Sequence, residues 1–260
     1  MPPPPAGPAG AATAAEALAA AKKDADAKFS GTDAGAPAEK CPLAKGPTLV
    51  SNGADAVTKS TAYKGCPEDV KDKIASKEFS ESEKKGIEDV LDKYKPLFEC
   101  DNVPVKKIGR SDKGITKSTA GCVAETTTMG EWFEDSGTLV LMDAASSPED
   151  FPDADSQFKG TVAHELAHGL LNNFDPRTCK AYKKAGDNPV MKEFRKAAGW
   201  DATGTTLTET DKDKAATSYS KTNSQEDLSE AMMLYLYDQK KLKDASPARY
   251  EFCKKLLGYK

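Results

Sequence analysis

With 260 residues, 38% of them hydrophobic and 30% charged, the chain is long enough to bury one sizeable core and to carry an appended tail. Its 37 basic and 41 acidic residues are interspersed and leave a net charge of -4, a solvated surface that excludes the basic footprint of a nucleic-acid binder. No apolar run approaches the roughly 18 residues of a membrane span, and Met1-Pro2-Pro3-Pro4-Pro5 has neither the basic start nor the apolar middle of a cleavable signal peptide.

Residues 1–47 are dominated by Pro, Ala and Gly, with an Ala-rich stretch from Glu16 to Phe29 that is at best a weak helix. Such a segment has too little to bury and is expected to be a disordered arm: a linker or targeting arm, able to engage a secretion apparatus, or a low-complexity tail. Residues 48–260 carry the globular pattern. Within them Thr48-Leu49-Val50 reads as a short strand and Pro67 to Ser76 as a helical turn. Ser80 with Glu83 three residues on forms a capping box, and Ile87, Val90, Leu91 and Tyr94 recur at helical spacing until Pro96.

Strand-like segments follow at Val103-Pro104-Val105, Gly121-Cys122-Val123-Ala124 and Gly137 to Met142, separated by Gly, Ser and Asp clusters. They predict a small sheet. The next helix runs from Ser156 to Asn172 with Val162, Leu166 and Leu170 as its core stripe. A further helix starts at Asn188-Pro189, turns Val190, Phe194 and Ala197 inward and stops at Gly199; Trp200 to Asp213 reads as a loop. The segment from Tyr219 to Met233 opens another helix, with Leu228, Met232 and Tyr235 as its apolar side. The fold class expected from this order is α+β: a small mixed sheet, then one long helix, then a mainly helical C-terminal half.

Six cysteines, Cys41, Cys66, Cys100, Cys122, Cys179 and Cys253, show no two-residue spacing of a zinc ribbon or thioredoxin-type site. An even count at this density predicts up to three disulfides and an oxidising destination, secreted or periplasmic, with the pairing left open.

The chemistry lies in His164-Glu165-Leu166-Ala167-His168, which contains the only two histidines of the chain. On a helix, positions four apart share a face with side chains about 6 Å apart, so both imidazoles can reach one metal ion. Glu165, about 100° further round, can lie beside a water on that metal as a general base. This predicts a zinc site with one Zn2+ per chain. The histidines being used, a carboxylate has to supply the third ligand. A ligand six residues after the second histidine, behind a glycine at the third, is excluded because those positions are Phe174 and Leu171. Glu226 and Glu230 stand one turn apart on the downstream helix. One carboxylate there can bind a metal while the other accepts a hydrogen bond from a ligand imidazole, although acidic residues are also favoured in any first helical turn by the dipole.

Tyr219, the glutamate seven residues after it and the acidic helix that follows, together with His164 to His168, resemble the catalytic domain of anthrax lethal factor and related glutamate-zincin peptidases. The resemblance implies a zincin-like fold. It makes His164, His168 and Glu226 the zinc ligands, Glu165 the general base, Tyr219 a donor to the developing oxyanion and Glu230 the carboxylate that orients a ligand histidine. Asp227-Leu228 and the longer gap between the two motifs depart from the family. The aspartate-zincins fit less well, because Ala216 stands where their ligand is expected. Zinc peptidases hold an extended peptide against a sheet strand beside the metal helix, and Leu139, Val140, Leu141 and Met142 are the expected strand. The activity expected is a zinc-dependent endopeptidase acting on a polypeptide, with an exported bacterial effector or toxin as the setting. A zinc hydrolase of a non-protein amide and an inactive zincin-fold binding protein are the competing classes.

Overall fold

The computed structural model describes residues 46–208 and 214–258. Residues 1–45 of the expected arm, the Glu16 to Phe29 stretch and Cys41 lie outside the described residues. Strand β1 (Thr48–Val50), helices α1 (Gly53–Lys59), α2 (Glu68–Lys71) and α3 (Glu81–Tyr94) open the fold. Strands β2 (Lys107–Arg110), β3 (Gly114–Ser118), β4 (Gly121–Glu125), β5 (Gly130–Phe133) and β6 (Thr138–Leu141) follow. After the long helix α4 (Ala154–Leu171) come the two short strands β7 (Phe174–Asp175) and β8 (Lys180–Ala181), then α5 (Pro189–Ala198), α6 (Ser224–Tyr237), α7 (Gln239–Ala245) and α8 (Pro247–Leu257). The architecture is mixed α and β, with a small mixed sheet ahead of α4 and a mainly helical second half.

The main sheet has the order β1-β2-β6-β5, with β1, β2 and β6 parallel and β5 antiparallel at the edge. Its two faces differ by the alternation of side chains along β6. Leu139 and Leu141 point into a core shared with Ile108 of β2 and with Val162, Leu166 and Leu170 of α4. Val140 and Met142 point the other way, onto Val57 of α1, Tyr63, Phe133 and Ile115. β6 is thus covered on both faces, and its backbone is bonded to a neighbour on both edges.

The expected strand at Val103-Pro104-Val105 is not formed. Val103 and Val105 are buried, but the strand begins at Lys107, where the register with Thr138 starts. Pro104 has no N–H to give to a ladder, so the segment serves as an apolar lead-in to β2. The capping box at Ser80 is present: Glu83 N donates to Ser80 Oγ and Ser80 N donates to Glu83 Oε2. It starts α3, whose buried Ile87, Val90 and Tyr94 face α4, and the Tyr94 hydroxyl donates to the Ala163 carbonyl at 2.8 Å.

Helix α4 is buried on almost every face because the sheet, α3 and α6 surround it. Its N-terminus is capped by Asp153, whose carboxylate accepts from Ser156 N. At its other end the fully buried Asn188 donates from Nδ2 to the carbonyls of Leu171, Asn172 and Phe174, while its Oδ1 accepts from Val190 N as the cap of α5. One side chain therefore satisfies the last carbonyls of α4 and the first N–H of α5. Gly199, with φ 81, closes α5 in the left-handed conformation. Val190 and Phe194 turn inward as expected, whereas Ala197 is only partly buried and Ala198 takes the buried position.

Among the described residues two disulfides form, Cys66–Cys122 and Cys100–Cys179. Cys253 is a buried free thiol of the α8 core. The first bond ties the β3–β4 hairpin to the chain ahead of α2, and the second ties the segment after α3 to the turn between β7 and β8. They span 56 and 79 residues, and by loop-closure entropy each contributes about 4 kcal/mol. Two disulfides fit an oxidising compartment, and no helix among the described residues is long and apolar enough to cross a membrane.

Candidate metal centre

His164 and His168 lie one turn apart on α4, where it packs along α6. Asn223 starts α6 by accepting from Gln225 N and Glu226 N, which sets Glu226 in the first turn. The two helices bring three donor atoms together. His164 Nε2 is 3.0 Å from His168 Nε2 and 3.1 Å from Glu226 Oε2, and His168 Nε2 is 3.0 Å from the same oxygen. Ligands about 2.0–2.2 Å from one tetrahedral ion stand on the order of 3.3–3.6 Å apart, so an outward shift of a few tenths of an ångström admits a divalent ion. His164, His168 and Glu226 can hold a metal ion.

The surrounding charge favours one. Glu165, Glu226 and Glu230 gather around two imidazoles, and among the described residues no Lys or Arg pairs with any of them. Burial works against an imidazolium at His164, but the hydrogen bonds it donates to Glu226 and Glu230 outweigh it and hold the group up at about 10. Burial likewise opposes the Glu226 carboxylate, and the two imidazoles hold it well below the usual carboxylate range. Both shifts express one demand, a positive charge between the carboxylates, which a proton or a metal ion meets.

His164 Nδ1 is 2.9 Å from Glu230 Oε1. The other oxygen, Oε2, accepts from Thr217 Oγ1 at 2.7 Å. Thr217 is itself fixed, since its Oγ1 accepts from Ser220 N. Asn172 caps α4 one turn beyond His168, with Nδ2 3.0 Å from His168 Nδ1.

Glu165 is buried beside this group and outside it. Burial pushes its carboxyl up, the two histidines pull it back, and Glu226 and Glu230 push it up again. Among the described residues its carboxylate has no hydrogen-bond or ion-pair partner. The edge strand passes directly over it: a Cβ added to Gly130 would stand 2.6 Å from Glu165 Cγ, so only glycine lets β5 run this close. The ring of Tyr219 lies 5.8 Å from that of His164 and is 53% exposed. Its hydroxyl is pushed up by burial, then by the charges of Glu226, Glu165 and Glu230.

His164, Glu165, His168, Tyr219, Glu226 and Glu230 are therefore brought together, from segments 62 residues apart in sequence at the His164–Glu226 contact. Leu139 to Met142 are not. Leu139 to Leu141 belong to β6, inside the sheet, where the strand bonds β2 on one side and β5 on the other, and Met142, the next residue, gives its N–H to the Met129 carbonyl. No backbone group there is open to a peptide, and the edge beside Glu165 is Gly130 to Phe133. Sequence reading missed β5, Thr217 and Asn172. Gly130 and Trp132 alternate with Glu131 and Phe133, a weak strand signal, and Asn172 stands at the same four-residue spacing from His168 as His168 from His164. Comparison with protein-family models, with curated proteins and with solved structures finds no match.

Proposed function

We propose that this protein is a zinc-dependent endopeptidase of zincin-like fold, with His164, His168 and Glu226 as the ligands of one zinc ion. The observation that carries the reading is the convergence of three N and O donors within 3.1 Å, next to the buried, unpartnered Glu165 carboxylate under an open sheet edge. Two imidazoles and one carboxylate with a position left open are the donor set of catalytic zinc. When bound, the ion polarises a water and the substrate carbonyl as a Lewis acid.

The chain's own groups supply the rest. Glu165 takes a proton from the attacking water and passes it to the leaving amide nitrogen. Tyr219 stays protonated and donates its hydroxyl to the developing oxyanion. Glu230, gripped by Thr217, accepts Nδ1–H of His164 and turns the Nε2 lone pair toward the ion. An extended peptide adds to the free edge of β5, so that its carbonyl reaches the face of Glu165. Two disulfides favour an oxidising compartment, and the setting proposed is export as a bacterial effector or toxin whose arm engages a secretion apparatus.

Metal analysis of the purified protein, with cleavage of a denatured protein measured with and without a chelator, tests this. One zinc and chelator-sensitive cleavage are expected. Glu165→Gln should keep the zinc and lose cleavage, and Tyr219→Phe should keep the zinc and lower turnover by about 10²-fold. Cleavage that survives metal removal contradicts the proposal; zinc without cleavage of protein points to a non-protein amide or a binding role.

A further inference from the structure

The two histidines are supported differently. Nδ1 of His164 faces the Glu230 carboxylate, whereas Nδ1 of His168 faces the side-chain amide of Asn172. The amide lies with Nδ2 toward the ring, and its Oδ1 is buried with no hydrogen-bond partner. A buried carbonyl oxygen without a donor has given up its water for nothing in return.

The orientation also dictates a tautomer. With Nδ2 donating, His168 Nδ1 must be the acceptor, so the ring proton sits on Nε2 and points at His164 Nε2 and Glu226 Oε2. That proton blocks the lone pair a metal requires. Half a turn of the amide about its last side-chain bond reverses the tautomer. Oxygen and NH2 are nearly the same size, so the turn needs no extra room. The orphaned oxygen then accepts Nδ1–H, and the Nε2 lone pair faces the donor group.

We infer that Asn172 is a positioning residue that presents its carbonyl oxygen to His168 Nδ1–H and so holds the metal-binding tautomer of that ring. The inference rests on the zinc reading above. The backbone that carries Asn172 is well placed for the role. Its N–H bonds the His168 carbonyl as the cap of α4, and its own carbonyl is held by the buried Asn188. The side chain is thus anchored on both sides of its Cα, at the spacing that puts it over the ring. A neutral amide acceptor leaves the site with one fewer negative charge than two carboxylates would.

The test uses the full chain, its Asn172→Leu and Asn172→Asp variants, zinc alone as the ligand, and competition with a chromophoric chelator. Asn172→Leu should weaken zinc binding by about 10- to 100-fold, while the metal-free melting temperature moves little. Asn172→Asp, which can only accept, should keep wild-type affinity or exceed it. Because the chain has two histidines, the imidazole N–H region of the NMR spectrum of the zinc form is simple to read. Two slowly exchanging Nδ1 protons are expected in wild type and Asn172→Asp, and one in Asn172→Leu. Wild-type affinity in Asn172→Leu, or an Asp variant as weak as the Leu variant, overturns the inference while leaving the zinc reading intact. A wild-type protein that binds no zinc overturns both.

Discussion

Two consecutive acidic residues on α6 have opposite surroundings. Asp227 is fully buried and closed off by the protein's own cation: Arg249 donates from Nε and Nη2 to its carboxylate, at 2.7 Å for Nη2, and Trp200 Nε1 donates to it as well. Burial pushes its carboxyl up, and Arg249 and Trp200 pull it back. Glu226, one residue earlier and about 100° round the helix, meets two imidazoles and no Lys or Arg among the described residues. The difference separates a carboxylate that holds the fold from one that waits for an outside charge. Asp227 joins α6 to α8 and to Trp200 after α5; Glu226 joins α6 to α4 only through the donor group. The same helix is fixed on one face and presents a candidate metal donor on the next.

Substitutions at the two positions should therefore fail in different ways. The largest effect is expected from Glu226→Ala, which leaves two protein ligands: zinc affinity should collapse in chelator competition, while circular dichroism still reports a folded chain. Retention of zinc by this variant would mean that Glu226 is not a ligand. Asp227→Ala strands Arg249 in the core and should cost about 3–5 kcal/mol of stability in denaturant unfolding, without removing any metal donor. A loss below about 1 kcal/mol would show the pair to be dispensable.

The metal-free protein offers a third contrast, in its pH dependence. His164 is held up at about 10 against an ordinary 6.5, and Glu226 is held below its ordinary 4.5. The sign follows from linkage: a raised imidazole contributes stability that is full below 6.5 and lost as pH rises toward about 10, and a depressed carboxylate contributes stability that is full above 4.5 and lost as pH falls. Both describe one interaction, so the metal-free melting temperature should be highest between these two ordinary values and fall on either side. Zinc should remove the alkaline fall, because the bound ion replaces the proton. A metal-free melting curve that is flat from pH 6.5 to 10 would contradict this account of the site.

The smallest effect is expected at Glu230, which touches an imidazole and no metal. Glu230→Ala should weaken zinc binding by about 10- to 100-fold. If it empties the site while Glu226→Ala keeps the ion, the assignments of the two glutamates are reversed.

Much of the site can be read along the chain because it is helical. His164 and His168, or Glu226 and Glu230, share a face by a periodicity that needs no knowledge of the rest of the fold, and the same rule would have singled out Asn172 from His168. Caps are equally local: Ser80 with Glu83 and Asn188 with Pro189 start their helices through contacts within three residues. The resemblance to glutamate-zincin peptidases then proposed which two helices belong together.

Strand order is different in kind. An apolar run such as Thr138 to Leu141 looks the same whether it lies inside a sheet or at its edge, since burial on both faces shapes its composition and pairing on both edges leaves no mark on it. Its place between β2 and β5, and with it the identity of the strand beside Glu165, depends on backbone hydrogen bonds to distant segments. The disulfides follow the same logic: six cysteines allow fifteen pairings, and only the approach of Cys66 to Cys122 and of Cys100 to Cys179 across 56 and 79 residues selects among them. Thr217 belongs with these. Nothing in its neighbourhood announces a partner, because Glu230, its acceptor, reaches it only once α6 has folded back over the chain that precedes it. Contacts within a turn or two are carried by the order of residues, and contacts that close long loops are settled by packing.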